Sequence, residues 1–200
     1  GFYTDDARDL IEMYKGIKKA GLITSLDVAA IDPESKAGRL DWEEILKQVL
    51  PYVDIFFCSE DTARLTFGKE GNVRDMMKSF TDEYPISIVA STQRVVHSPK
   101  VHDFGSVIYN AYQDKYYTEE PYKAIDVVDR IGSGDAYIAG ALYGLLHYRL
   151  DCEKALVYGN AYSAVKNTIP GDVPSSNLHD IDSIIADHNM TEGYKPEMNR

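Results

Sequence analysis

The sequence predicts an α/β fold: a mostly parallel sheet flanked by helices, with an antiparallel edge. Three observations carry this. Helix-patterned and strand-patterned stretches alternate from residue 5 to residue 91. Two of the strand-like stretches, Val53–Cys58 and Ile86–Ser91, are apolar almost throughout, as strands covered on both faces are. After residue 93 the pattern shifts to period two with turn residues between the runs, which is how hairpin strands read.

Residues 5–20 read as a helix, with Leu10, Met13, Tyr14 and Ile17 at helical spacing, an acidic first turn and Gly21 as the stop. Residues 22–28 form a short strand carrying Asp27 near its end, and residues 32–38 read as loop. Asp41 caps a helix running to Leu50. Further helices are predicted near Asp61–Phe67 and Val73–Tyr84. Val95–Ser98, Ser106–Ala111 and Lys115–Thr118 read as antiparallel strands, and Pro121–Val128 as the approach to a loop. A buried helix follows that loop. Another runs from Cys152 to about Lys166, with Ala155, Leu156, Ala161, Ala164 and Val165 facing inward, and residues 168–174 stop it. A last amphipathic helix spans Leu178–Asp187. Residues 1–187 are thus read as one domain and the polar residues 188–200 as a loose tail.

Two hundred residues suffice for a sizeable core, and 44% hydrophobic with 26% charged residues is the composition of a soluble globular protein. The formal charge of −11, from 21 basic and 32 acidic residues, argues against nucleic acid and anionic membrane as partners. No apolar run approaches the ~18 residues of a membrane span, and no signal-peptide pattern opens the chain. Two cysteines, Cys58 and Cys152, fit a reducing, cytoplasmic setting. The five histidines show no metal-ligand spacing, so no metal ligand is assigned.

The stretch that organises the chain is Asp129-Arg130-Ile131-Gly132-Ser133-Gly134-Asp135, followed by an apolar run to Leu146. A glycine-flanked turn opening a helix presents unpaired N–H groups and the positive end of a dipole, which favours an anion, above all phosphate. Asp135 would repel that phosphate unless it has its own task, such as taking the proton of an attacking group. The plainer alternative stays open: Asp135 as a cap and Gly-x-Gly as a turn. The dinucleotide fingerprint does not fit, since Tyr137 stands where its third glycine would. A Walker A loop does not fit either, because no Gly-Lys-Ser/Thr closes it. At the carboxyl ends of the predicted strands, Asp27, the Ser59-Glu60 pair and Ser91-Thr92 fall on one edge, as ligand groups or as caps.

Residues 128–140 resemble the C-terminal signature of the ribokinase-like (PfkB) sugar kinases, and the form Asp-Arg-x-Gly-x-Gly-Asp is closest to the 2-keto-3-deoxygluconate (KDG) kinases. Residues 91–98 and 159–172 are similar to the same branch. The resemblance implies a ribokinase-like fold and phosphoryl transfer from ATP, with Mg²⁺, to a sugar or sugar-acid hydroxyl, KDG above all. It leaves open another PfkB sugar kinase, for fructose, ribose or a nucleoside, or a catalytically silent nucleotide-binding fragment. It makes Asp135 the catalytic base, with the N–H groups of Gly132, Ser133 and Gly134 as the anion hole. Ser59, Ser91, Thr92 and Arg94 fall to the nucleotide, with Gly159 and Asn160 at its adenine. For Gly159 the alternative is close helix packing, and for Asn160 a solvent-facing polar group. Asp129, Arg130 and Asp172 fall to the substrate, although Arg130 serves an acid sugar or ATP equally well.

The chain also departs from the family pattern. Thr62 stands where the family has the Glu of its Asn-x-x-Glu motif, leaving Glu60 or Asp61 as substitutes. The run Leu26–Asp32 lacks the acid-binding Arg of the KDG branch. The N-terminal portion with the β lid is missing. The chain is therefore expected to be an incomplete kinase domain or a fusion of two relatives, with its oligomeric state open.

Overall fold

The computed structural model describes residues 7–28 and 42–190. The predicted Asp41 cap, the loop at 32–38 and the tail beyond Met190 lie outside the described residues. The chain divides into two compact units, Gly1–Gln93 with Val107–Tyr117, and Arg94–Ser106 with Thr118–Arg200.

In the first unit α1 (Arg8–Lys19) precedes β1 (Ser25–Val28). Next come α2 (Trp42–Val49), a 3-10 turn (Leu50–Tyr52), β2 (Ile55–Cys58), α3 (Glu60–Phe67) and α4 (Val73–Glu83). The strand β3 (Ile88–Ser98) begins in the first unit and ends in the second, where the turn Pro99-Lys100 leads into β4 (Val101–Asn110); β4 re-enters the first unit at Val107, and β5 (Lys115–Thr118) follows. β1 and β2 pair in parallel from Ser25–Ile55 to Val28–Cys58, and β2 pairs in parallel with β3 from Ile55–Ile88 to Phe57–Ala90. Every residue of β2 is buried, as its unbroken apolar run predicts. Phe56, Phe67 and Phe80 meet edge to face with ring centroids 5.0–6.0 Å apart, and Met76, Met77 and Val49 fill in around them. Asp54 ties α1 and β1 to the start of β2: its carboxylate accepts from Lys18 Nζ at 2.7 Å and from Thr24 N at 2.9 Å. Burial pushes the buried Cys58 thiol up to about 12, with the nearby Asp27 charge adding to the shift.

The second unit contains β6 (Tyr122–Asp126), α5 (Ser133–His147), α6 (Cys152–Asn167) and α7 (Leu178–His188). The sheet order is β1-β2-β3-β4-β5, with β6 antiparallel to β4. α5 and α6 pack closely because Gly140 has no side chain; a Cβ there would lie 2.4 Å from the Tyr158 carbonyl oxygen.

The mixed sheet, parallel through β3 and antiparallel beyond, matches the expected architecture. Two local expectations change. Residues 91–94, expected as a strand end and loop, belong to one unbroken β3. Pairing with β4 carries that strand past its buried half, although Val95 and Val96 are exposed. The approach Pro121–Val128 contains the strand β6, of which only Ile125 is buried, so it lacks a hydrophobic pattern. Its irregular Ala124, with a φ of 51°, is held by the Asp103 carboxylate at 2.8 Å.

Candidate functional site

The site grows from the start of α5. Gly132, the residue before the helix, has a φ of 75°, a left-handed conformation that glycine adopts without strain. A Cβ there would sit 2.0 Å from the Asp172 carbonyl oxygen, so residues 171–172 run against this turn. No side chain caps α5. Ala136 N donates to Gly132 O at 2.9 Å, and Ser133 N to Arg130 O at 3.1 Å. Among the described residues the N–H groups of Gly134 and Asp135 meet no acceptor, and both residues are exposed. Of the three donors expected, the Ser133 N–H is occupied, while the N–H groups of Gly132 and Gly134 meet no acceptor among the described residues, and that of Asp135 is open as well. The Asp135 carboxylate likewise has no partner among the described residues.

Asp129 joins two loops. Its carboxylate accepts from Ile131 N at 3.0 Å and from Gly171 N at 3.1 Å, and these two bonds hold it below the usual carboxylate range. Both oxygens of Asp129, expected as a substrate contact, accept backbone hydrogen bonds within the protein. Asp172, expected at the same task, contributes its backbone to the packing on Gly132, and its side chain is exposed.

Two guanidiniums accompany the turn. Arg94 donates to Ser133 Oγ at 3.2 Å. Partial desolvation and the neighbouring Arg130 charge push Arg94 down from its ordinary value. Arg130 itself is exposed, one residue from Asp129 and two from Gly132. Behind the turn, Ser163 Oγ donates to Ser133 O at 2.9 Å, and Lys166, with no exposed surface, donates to Asp129 O and Ile169 O, each at 3.0 Å. Neither α6 residue was singled out from the sequence. A lysine in the last turn of a helix reads as an ordinary partner for the helix dipole, and nothing local marks it as buried.

Gly159 and Asn160 lie inside the helix packing rather than on an open surface. A Cβ on Gly159 would meet the Tyr137 ring at 2.8 Å, so close packing, the alternative reading, is what this glycine serves here. Asn160 is fully buried, against the solvent-facing alternative. Its Nδ2 donates to Glu119 Oε1 at 2.6 Å, while its Oδ1 has no hydrogen-bond partner among the described residues. Burial pushes Glu119 up; the Asn160 hydrogen bond and the His188 charge oppose that shift.

The other expected residues lie in the first unit. Ser59 caps α3, accepting from Thr62 N at 3.1 Å, and its hydroxyl pairs with Thr62 Oγ1 at 2.9 Å. Thr62 is buried in the position where the family pattern has Glu, and Glu60 is drawn into an ion pair with Arg64 at 2.8 Å. Ser91 is buried with its Oγ unpaired, and it lines a small cavity together with Cys58 and Ser59. Thr92 is half-buried and Asp27 exposed. Among the described residues no three His, Cys, Asp or Glu side chains cluster as metal ligands, and no helix is long and apolar enough to cross a membrane.

Comparison with known proteins gives a consistent picture. The family model described as "pfkB family carbohydrate kinase" matches residues 32–177. A 2-dehydro-3-deoxygalactonokinase of Haloferax volcanii is 26% identical over 163 residues, covering 81% of this chain and 46% of that relative. The structure of a PfkB family carbohydrate kinase from Listeria grayi superposes with a TM-score of 0.79 at 23% identity, covering 92% of this chain and 57% of that one. A 2-dehydro-3-deoxygluconokinase from Thermotoga maritima also superposes with a TM-score of 0.79, at 22% identity over 89% of this chain and 54% of that one. At these identities the two structures establish a shared ribokinase-like fold. The chain spans about half the length of the relatives it matches. Because the family model runs from residue 32 through the Gly132–Asp135 turn to residue 177, the chain belongs to the pfkB carbohydrate kinase family.

Proposed function

We propose that the protein transfers a phosphoryl group from ATP to the hydroxyl of a sugar or sugar acid, with 2-keto-3-deoxygluconate as the favoured acceptor. One observation supports this most. An uncapped helix start offers the N–H groups of Gly134 and Asp135, stands beside Arg94 and Arg130, and carries an unpartnered carboxylate on the same turn. In this reading Asp135 accepts the acceptor hydroxyl's proton as that oxygen attacks the γ-phosphorus, and the bond to the ADP oxygen breaks. The N–H groups and guanidiniums stabilise the charge on the transferring phosphoryl group, the main task in such a reaction. Mg²⁺ would enter with the nucleotide and offset phosphate charge, and no residue of this chain is assigned as its ligand. Arg94 serves the nucleotide. Exposed Arg130 serves the carboxylate of an acid sugar, for which a guanidinium fork is well shaped. Ser59, Ser91 and Thr92 are assigned to the nucleotide by resemblance alone. The cysteine content supports a reducing, cytoplasmic setting.

The test is ADP release with Mg-ATP against KDG, gluconate, fructose and ribose, paired with calorimetric ADP binding. We expect KDG-dependent turnover that falls by about 10²-fold or more in Asp135→Asn, the scale of a lost general base. Turnover on another sugar retains the reaction and reassigns the acceptor. Nucleotide binding without turnover on any sugar reduces the protein to a nucleotide-binding one, and no nucleotide binding overturns the reading.

A further inference from the structure

Lys166 is the most deeply buried cation among the described residues, with no exposed surface at all. A buried ammonium is costly unless it is fully engaged. Both of its hydrogen-bond acceptors are main-chain carbonyls, Asp129 O and Ile169 O, each at 3.0 Å, and no ion pair involves it among the described residues. These carbonyls belong to the two segments that meet at the start of α5. Asp129 opens the turn toward Gly132, and Ile169 opens the segment whose Asp172 carbonyl abuts Gly132. The Asp129 carboxylate spans the same two segments through Ile131 N and Gly171 N. The ammonium thus holds the carbonyls of both segments while the carboxylate holds their N–H groups.

We infer that Lys166 is a positioning residue, an internal cation that clamps segments 129–131 and 169–171 and thereby fixes the uncapped turn where an anion is received. The inference rests on the phosphoryl-transfer reading for what the turn receives, but the clamp itself can be tested without nucleotide. An ammonium coordinated by carbonyl oxygens orders a backbone much as a bound monovalent cation does. Here the cation is tethered to α6. Its charge also offsets that of Asp129, which lies close enough for Lys166 to contribute to holding that carboxyl low.

The test replaces Lys166 with Met, which keeps an unbranched stem out to the ε position and removes the ammonium, and with Ala, which leaves a channel. Hydrogen exchange at Ile131 and Gly171 reads the clamp, and Mg-ADP affinity reads the turn. We expect faster exchange at both amides in both variants and an affinity about tenfold weaker, the scale of one lost charge-assisted hydrogen bond. In Lys166→Ala, propylammonium, which matches the missing atoms beyond Cβ, restores amide protection, whereas uncharged 1-propanol does not. Protection unchanged in Lys166→Met, or restored equally by propanol, overturns the inference. If neither variant folds, ¹⁵N-lysine NMR of the unmodified protein decides: a slowly exchanging ammonium signal supports the clamp and its absence refutes it. Failure of the unmodified protein to bind Mg-ADP counts against the proposed function, while the exchange data still decide the role of Lys166.

Discussion

The sharpest prediction concerns two glycines, two residues apart, that the structure treats differently. Alanine at Gly132 would place its Cβ 2.0 Å from Asp172 O, 2.8 Å from its carbonyl carbon and 3.0 Å from its Cα, all backbone atoms without a rotamer to yield. The left-handed φ of 75° adds its own cost. About 1–2 kcal/mol for the backbone conformation and about 1–3 kcal/mol for overpacking give a loss of about 2–5 kcal/mol. The alternative is for residues 171–172 to draw away, which breaks the Gly171–Asp129 hydrogen bond of 3.1 Å. Gly134 has no neighbour within 4 Å of its hypothetical Cβ and lies in the first turn of α5. Alanine there should leave stability unchanged or raise it by up to about 1 kcal/mol. It should nevertheless obstruct close approach of a phosphate to the turn. Urea unfolding followed by circular dichroism, with ADP binding measured in parallel, separates the two. Gly132→Ala should lose stability, and Gly134→Ala should keep it while losing affinity. A Gly132→Ala protein within about 0.5 kcal/mol of the parent, the usual size of a surface change, would refute the packing of segment 171–172 on the turn.

Two further predictions address the first unit. Phe80→Ala, which empties a site walled edge-on by Phe56 and Phe67, should cost about 3–5 kcal/mol in urea unfolding. Asp54 should make stability pH-dependent. Partial burial raises its pKa, but hydrogen bonds from Lys18 and Thr24 outweigh that and hold it below its ordinary value. A depressed carboxyl contributes stability above its unfolded value of about 3.9 and loses it as pH falls through the folded value. Asp54→Asn should therefore be less stable than the parent at neutral pH, by no more than about 1 kcal/mol because solvent screens a partly exposed pair. The deficit should close in acid. A deficit that persists unchanged at pH 2–3, in melts across that range, would point to lost geometry rather than lost charge.

The fold was legible where pattern and burial agree. The run Ile55–Cys58, apolar at every position, has no solvated face to choose, and both of its neighbours pair with it in parallel. It was illegible where pairing alone makes a strand. Gln93 and Arg94, which join the predicted Ile86–Ser91 and Val95–Ser98 into one β3, and three of the five residues of β6 are exposed, so the ladder to β4 defines these stretches and the hydrophobic pattern does not. The site divides in the same way. Gly132-Ser133-Gly134-Asp135 announces itself because glycine, helix start and carboxylate are consecutive. Lys166 and Ser163 do not, since their contacts reach back 37 and 30 residues and each residue alone is ordinary in a helix. Asp129 has a part that the signature alone does not reveal. Its place in the signature suggests a ligand group, yet it braces the loops that carry the site. Ser59 caps α3, as its residue type predicts.

An acidic protein poses a physical question at such a turn, because a formal charge of −11 should repel a phosphate. Distance resolves it. At physiological ionic strength, charges beyond about 8–10 Å are largely screened, so the sign of the whole molecule governs encounter and the immediate surroundings govern affinity. Near the start of α5 the structure gathers Arg94, Arg130 and the buried Lys166. It engages the nearby carboxylate of Asp129 with two backbone N–H groups and sets the Lys166 charge close to it. That leaves Asp135 as the unpartnered acid on the turn. A group that repelled the ligand without serving it would weaken the site for nothing. A carboxylate left open beside two open N–H groups is the arrangement that proton abstraction next to a phosphate requires. On the proposed phosphoryl-transfer reading, Asp135→Asn should separate the two tasks, holding or improving nucleotide affinity through lost repulsion while cutting turnover by about 10²-fold or more.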